Sequence, residues 1–185
     1  DIKDFESYLA ASIEPTAHAE GDFPDQSGIW REQARGAIGS PVLRGHRQGE
    51  DFSPLFVLIS YSSKEQELVV VGEDVAAGLR IETSFSFVGA GVLVKTQAVT
   101  NIGSGDYFLE DLATCLPLPD RAQESLDFAG RWVKERQPVR RQIQPGVVSR
   151  EVREGRTSHD YTILQLAMTT AATFRSGEVW SLGLM

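Results

Sequence analysis

The chain has 185 residues, a net charge of −8 and ordinary apolar (41%) and charged (24%) fractions, with a single cysteine. That length suits one domain, 1–185, with a substantial core, and the charge argues against nucleic acid or an anionic membrane as the main partner. No apolar run approaches the roughly 20 residues that span a bilayer, and the lone Cys115 excludes an intramolecular disulfide framework and fits a reducing, cytoplasmic compartment.

In chain order, Asp1-Ile2-Lys3-Asp4 shows neither an initiator Met nor a signal-peptide pattern, which points to a fragment of a longer protein. Asp4 is placed to cap a short helix with Phe5, Tyr8, Leu9 and Ile13 on one face. Residues 15–50 are rich in Gly, Pro, Asp, Gln and Arg and read as a long excursion over the surface, a class of loop that often carries function. Within it, Trp30 beside Arg31 is either a loop anchor or a platform on which a sugar ring stacks. His46, between Arg44 and Arg47, reads as a solvated loop residue.

From there the pattern is β. Leu55 to Tyr61 and Leu68 to Val71 are short runs of strand formers. Leu79, Ile81, Thr83, Phe85 and Phe87 alternate with polar residues, the period of a half-buried strand. Gly89-Ala90-Gly91 permits a reversal, and Val92 to Ile102 returns, which predicts a long antiparallel hairpin. Tyr107 to Leu118 is strand again, with Cys115 as a buried structural thiol; Tyr161 to Met168 and Glu178 to Leu184 are the last strands. Strands joined by turns, with at most short helices, imply an all-β antiparallel sandwich.

Charge is unevenly spread. From Arg131 to Arg156 eight basic residues face three glutamates, so this segment carries +5 and the remainder −13. Such a cationic block needs a partner, internal or external. Trp132 and Trp180 sit in strand-like segments and read as core anchors. Chemistry-bearing motifs are weak. His18, His46 and His159 lack metal-ligand spacing, and no nucleophile-elbow, Walker A or HExxH motif occurs. Glu50-Asp51 and Glu110-Asp111 are adjacent pairs; on a strand, neighbours point to opposite faces, so neither forms an acid/base dyad alone. Ser158-His159 reads as a structural hydrogen-bonding pair. No catalytic residue, metal or cofactor is expected.

Five motifs in order carry a family resemblance: Phe128-Ala129-Gly130-Arg131-Trp132, Arg136-Gln137-Pro138-Val139-Arg140, Ser149-Arg150-Glu151, Gly155-Arg156-Thr157-Ser158-His159 and Gly177-Glu178-Val179-Trp180. Together with Asp4 to Leu9, Leu43-Arg44-Gly45-His46-Arg47 and Ser53-Pro54-Leu55-Phe56, this order resembles the amino-terminal domain of glycoside hydrolase family 36 α-galactosidases, over nearly the whole chain. The resemblance implies a galactose-mutarotase-like β-supersandwich preceding a (β/α)8 barrel that hydrolyses α-galactosides with retention. It implies the barrel and a homo-oligomer as partners, with Arg131, Trp132, Arg136, Arg140, Arg156, His159 and Trp180 at a domain interface or in structural roles. Trp30, Arg31, Ile38, Arg44 and His46 would lie at the rim of the sugar pocket or against a neighbouring subunit. Where relatives carry an aromatic or Asp-Phe-Arg-like group, this chain reads Gly36-Ala37-Ile38-Gly39, and the resemblance implies a start after the family's opening strands and an end short of the barrel. An independent carbohydrate-binding or protein-interaction module is the alternative.

Overall fold

The computed structural model describes residues 29–36, 39–116, 118–146, 148–150 and 164–183. The helix expected from Asp4, Pro117, and the Ser158-His159 pair lie outside the described residues. The chain forms two compact units, Asp1–Cys115 and Leu116–Met185. All strand pairing is antiparallel, and the one described helix is a single 3₁₀ turn, Gln33–Arg35. The all-β class expected from the strand pattern is what the structure shows.

Unit 1 holds strands β1 (Leu43–His46), β2 (Val57–Lys64), β3 (Glu67–Asp74), β4 (Leu79–Phe87), β5 (Leu93–Asn101) and β6 (Phe108–Leu112). They form a four-stranded sheet, β2-β3-β4-β5, and a two-stranded ribbon, β1-β6. The expected long hairpin is present: β4 pairs with β5 from Leu79↔Asn101 to Phe87↔Leu93. Its reversal uses positive φ at Gly89, Ala90 and Gly91, cheap for the two glycines. Alternation on β4 follows the pattern as far as Thr83; beyond it Phe85 is half-buried and Phe87 is exposed. Leu79, Ile81 and Thr83 are fully buried, while Arg80 and Glu82 are exposed.

The core of unit 1 gathers Ile29, Trp30, Val42, Leu43, Phe56, Val70, Leu79 and Ile81. The reading of 15–50 as a surface excursion is therefore corrected from residue 29 onward. Ile29, Trp30 and Glu32 are buried, and Val42 and Leu43 are almost completely so. Four sparse apolar positions, Ile29, Trp30, Val42 and Leu43, too few for a periodicity, are enough to dock this stretch on the sheet. Tyr107 to Leu118 is also shorter as strand than expected. β6 ends at Leu112, and Cys115 lies in irregular backbone, half-buried rather than fully enclosed.

Unit 2 holds β7 (Glu124–Arg131), β8 (Lys134–Gln142), β9 (Leu164–Met168) and β10 (Val179–Gly183), in the order β10-β9-β7-β8. β8 is an edge strand rich in Arg and Lys and carrying Pro138. A proline cannot donate to a ladder and is tolerated at an edge, and edge charges discourage further pairing. The buried apolar residues here are small: Ala122, Ala167 and Ala172, with Met168.

Candidate functional site

The pocket-rim candidates fall in unit 1, and their base is a pinned loop. The Val42 amide donates to the Arg31 carbonyl at 2.7 Å, closing the neck. Inside it, Glu32 is buried and splits its carboxylate: Oε1 accepts from the Phe56 amide at 2.5 Å, and Oε2 from Arg35 Nε at 2.6 Å. Arg35 completes the ring by donating Nη2 to the Phe56 carbonyl at 2.8 Å. Burial pushes the Glu32 carboxyl above its ordinary value, against the opposing pull of the Phe56 amide and of Arg35. Gly36 ends the turn in the left-handed region at φ 80°, and Gly39 sits at φ 95° beside the Arg31 guanidinium. Ile38 lies outside the described residues.

Trp30 is held within this base. It is 7% exposed, its Nε1 donates to Thr83 Oγ1 at 3.0 Å, and its ring meets Phe56 edge-on at 5.9 Å. A Cβ at Gly72 would come within 2.5 Å of the indole, so only glycine there leaves room for it. Of the two roles open to Trp30, the loop anchor fits this enclosure; no ring face is offered to a ligand. The adjoining cleft, lined by Arg31, Glu32, Val42, Leu43, Phe52 and Phe56 among others, has a volume of about 10 Å³. That admits about one water and no pyranose.

Arg44 and His46 lie on β1 of the ribbon. Arg44 forms an exposed ion pair with Asp111 at 3.3 Å. His46 stacks on Phe108 with centroids 5.6 Å apart, and its Nδ1 accepts from the Gly49 amide. The neighbour that organises this end is Arg47. It donates to the carbonyls of Ala77, Ser104 and Gly105 and to Asn101 Oδ1, pairs with Asp51, and lies 5.8 Å from the Tyr107 ring centroid. In the sequence it was marked by its place in a basic cluster and in the Leu43-Arg44-Gly45-His46-Arg47 stretch of the resemblance.

In unit 2 much of the cationic segment has internal partners. Arg140 pairs with Glu124, Nε to Oε2 at 2.7 Å, and also donates to the Ala172 carbonyl at 3.1 Å. Gln142 adds a bond to Glu124 Oε1 at 2.9 Å. Arg141 and Arg150 both reach Asp127 Oδ2 at 2.9 Å. Glu124 and Asp127 are each 8% exposed, so these ion pairs close the floor of the sheet. Nothing in the sequence distinguished these two carboxylates from surface acids.

Arg131, Trp132 and Arg136 lie at the free end of the β7–β8 hairpin. There Arg131 pairs with Lys134 and Trp132-Val133 make the turn. The expectation of Trp132 as a core anchor is overturned: it is 75% exposed, because the two flanking strands end where it begins. Trp180, on β10, is half-buried with the Arg121 guanidinium 5.1 Å from its ring centroid. Arg156 and His159 lie outside the described residues. Among the described residues no cluster of His, Cys, Asp and Glu could hold a metal ion.

Comparison with known proteins agrees with the motif order. Over 184 residues, 99% of this chain, it is 35% identical to an α-galactosidase of Escherichia coli, of which it covers 26%. The chain thus spans about a quarter of that relative's length. Its fold matches the α-galactosidase AgaB of Geobacillus stearothermophilus with a TM-score of 0.75 and 17% identity, over 91% of this chain and 28% of the other. It also matches the galactosidase domain of an α-galactosidase–sucrose kinase, with a TM-score of 0.64 and 19% identity, over 80% of this chain and 25% of that one. A family model, the glycosyl hydrolase family 36 N-terminal domain, covers residues 6–185 and so runs through both units. The chain therefore belongs to the glycosyl hydrolase family 36 N-terminal domain family.

Proposed function

We propose that this chain is the non-catalytic N-terminal domain of a cytoplasmic α-galactosidase-like enzyme. In this reading it packs on a catalytic (β/α)8 barrel of the same polypeptide, supports a homo-oligomer and shapes the rim of the sugar pocket. The observation that carries it is the 35% identity to an α-galactosidase across 99% of the chain. A retaining hydrolysis needs a nucleophile and an acid/base carboxyl about 5 Å apart and no cofactor; both carboxyls belong to the barrel. The pinned loop around Glu32 gives the domain a rigid base from which neighbouring backbone meets the pocket.

The test is release of nitrophenol from an α-galactoside by the full gene product and, separately, by this chain at high concentration. Hydrolysis by the former and none by the latter is expected. Activity that purifies with this chain alone would overturn the reading. An independent carbohydrate-binding module is favoured by one feature, the His46–Phe108 stack with Phe108 67% exposed beside the Arg44–Asp111 pair. Galactoside affinity of this chain alone, lost in Phe108→Ala, would select that alternative.

A further inference from the structure

The β1–β6 ribbon carries a mixed polar and aromatic set on one face. Arg44 and His46, two apart on β1, point away from the side of the buried Leu43 and Gly45. The register sets Asp111 opposite Arg44 and Phe108 opposite His46. Phe108 and Asp111 are three apart, a spacing that a regular strand sends to opposite faces. A register shift between Arg44 and Gly45 gives β6 one extra residue and re-aims the two to the same side. The two ends of this face differ in chemistry. At one end His46 and Phe108 stack with planes 13° apart, and Phe108 is 67% exposed, so its ring backs on the imidazole and is otherwise open. The Gly49 amide donates to His46 Nδ1 at 3.1 Å, so the neutral imidazole carries its proton on Nε2, as a donor. At the other end Arg44 and Asp111 meet through a single contact, Nη2 to Oδ2, and both side chains are accessible. Asp111 Oδ1 and the other N–H groups of Arg44 stay available.

We infer that this face binds a neutral pyranoside whose ring substituents are all equatorial, the gluco configuration. One guanidinium and one carboxylate cancel, which disfavours an anion or a cation and suits a neutral ligand that both donates and accepts. Vicinal hydroxyls answer that description: the carboxylate accepts from them and the guanidinium donates to them. An aromatic face is negative, and the axial C–H bonds of a pyranose offer it a weakly positive, apolar surface. An axial hydroxyl tilts a sugar off a flat partner, whereas an all-equatorial ring shows only C–H bonds on both faces. Phe108 is an open platform, so the flatness of the ligand is the property that it selects. The inference rests on the geometry of the ribbon and on neither reading of the function given above.

Saturation-transfer NMR of this chain with methyl β-glucoside and with methyl α-galactoside is the test, backed by chemical-shift titration. The glucoside should bind with a Kd of about 1 mM, as an open contact to a small ligand allows. Transfer should be strongest to its ring C–H protons, and affinity should not depend on salt. Phe108→Ala should weaken binding at least about tenfold, as loss of an aromatic anchor does, with an unchanged melting temperature because the ring is exposed. Phe108→Tyr should keep the affinity, and Asp111→Asn, which leaves the ring in place, should lower it. Absence of glucoside binding would overturn the inference, as would binding indifferent to Phe108→Ala and Asp111→Asn. Galactoside bound as tightly as the glucoside, and lost with it in Phe108→Ala, would overturn the configuration assigned here and select the independent-module reading. Hydrolysis by the full gene product is read separately, so the proposed function can stand if this site fails.

Discussion

Unit 1 and unit 2 are both antiparallel β, yet their interiors are filled with different chemistry. Unit 1 is closed by large apolar side chains: Trp30, Phe56, Leu43, Leu79 and Ile81 are all buried. Unit 2 buries alanines and one methionine, and beside them Glu124 and Asp127 with their arginines. Apolar burial stabilises in proportion to area. A buried ion pair stabilises little relative to an apolar replacement but is costly to break. The difference teaches that, among the described residues, unit 1 is held mainly by apolar volume with one buried carboxylate, Glu32, whereas unit 2 is sensitive chiefly to the loss of a single charge.

The largest expected effect lies in unit 1. Trp30→Ala removes the indole from between Phe56, Gly72 and Thr83 and leaves the Thr83 hydroxyl without its donor. A loss of about 3–5 kcal/mol is expected, read as a fall in the denaturant midpoint. Trp30→Phe, which keeps most of the volume, should recover more than half of it. Equal losses for the two variants would mean that the hydrogen bond, not the volume, holds the loop.

In unit 2 the matching variant is Asp127→Ala, which removes the carboxylate that Arg141 and Arg150 share. Breaking a fully buried pair costs about 3–5 kcal/mol. The two arginine side chains are 37% and 29% exposed, so water screens part of the loss and roughly 1–3 kcal/mol is expected. Asp127→Leu, with no charge to desolvate, should not restore stability unless both arginines are also replaced. Full recovery by that single change would show that unit 2 is held by packing, as unit 1 is.

These two interiors were unequally legible in the sequence. The β4–β5 hairpin declared itself because period-two alternation and the Gly89-Ala90-Gly91 turn agree with its structure. The β7–β8 hairpin did not. β8 is crowded with Arg and Lys, of which Arg140 and Arg141 pair with Glu124 and Asp127, so no apolar alternation appears, and the turn is Trp132-Val133 rather than a turn dipeptide. The cationic block itself was visible, and so was its need for a partner. Which carboxylates serve it was not, since cross-strand neighbours 14 and 16 residues apart are set by register. Trp30 remained undecided because burial depends on Gly72, 42 positions away on another strand. The family resemblance reached further than the strand pattern, because motif order does not depend on knowing which residues meet.

A smaller effect separates the units by pH. Glu32 in unit 1 has its carboxyl raised above the ordinary 4.5, chiefly by burial. The fold therefore favours its protonated form. Its contribution is fully present below pH 4.5 and is lost as pH rises through the raised folded value. Glu32→Gln keeps an acceptor for the Phe56 amide and cannot ionise. The wild type should lose stability relative to this variant as pH climbs from 4.5 toward neutrality, measured by urea unfolding at several pH values. Parallel pH profiles would show that Arg35 fully offsets the burial.

The smallest effect is expected at the surface of unit 2, where Arg121 pairs with Glu178 at 2.5 Å and faces Trp180. Both side chains are more than half exposed, so solvent and salt screen the attraction. Arg121 holds the Glu178 carboxyl below its ordinary 4.5. The sign is thus opposite to that of Glu32: any stabilisation is present above pH 4.5 and is lost as pH falls through the lowered folded value. Arg121→Ala should shift the melting temperature far less than Asp127→Ala, and the shift should vanish in high salt. A shift as large as that of Asp127→Ala, persisting in high salt, would mean that Arg121 acts through its packing on Trp180. The charge that matters in unit 2 would then extend from its buried floor to β10.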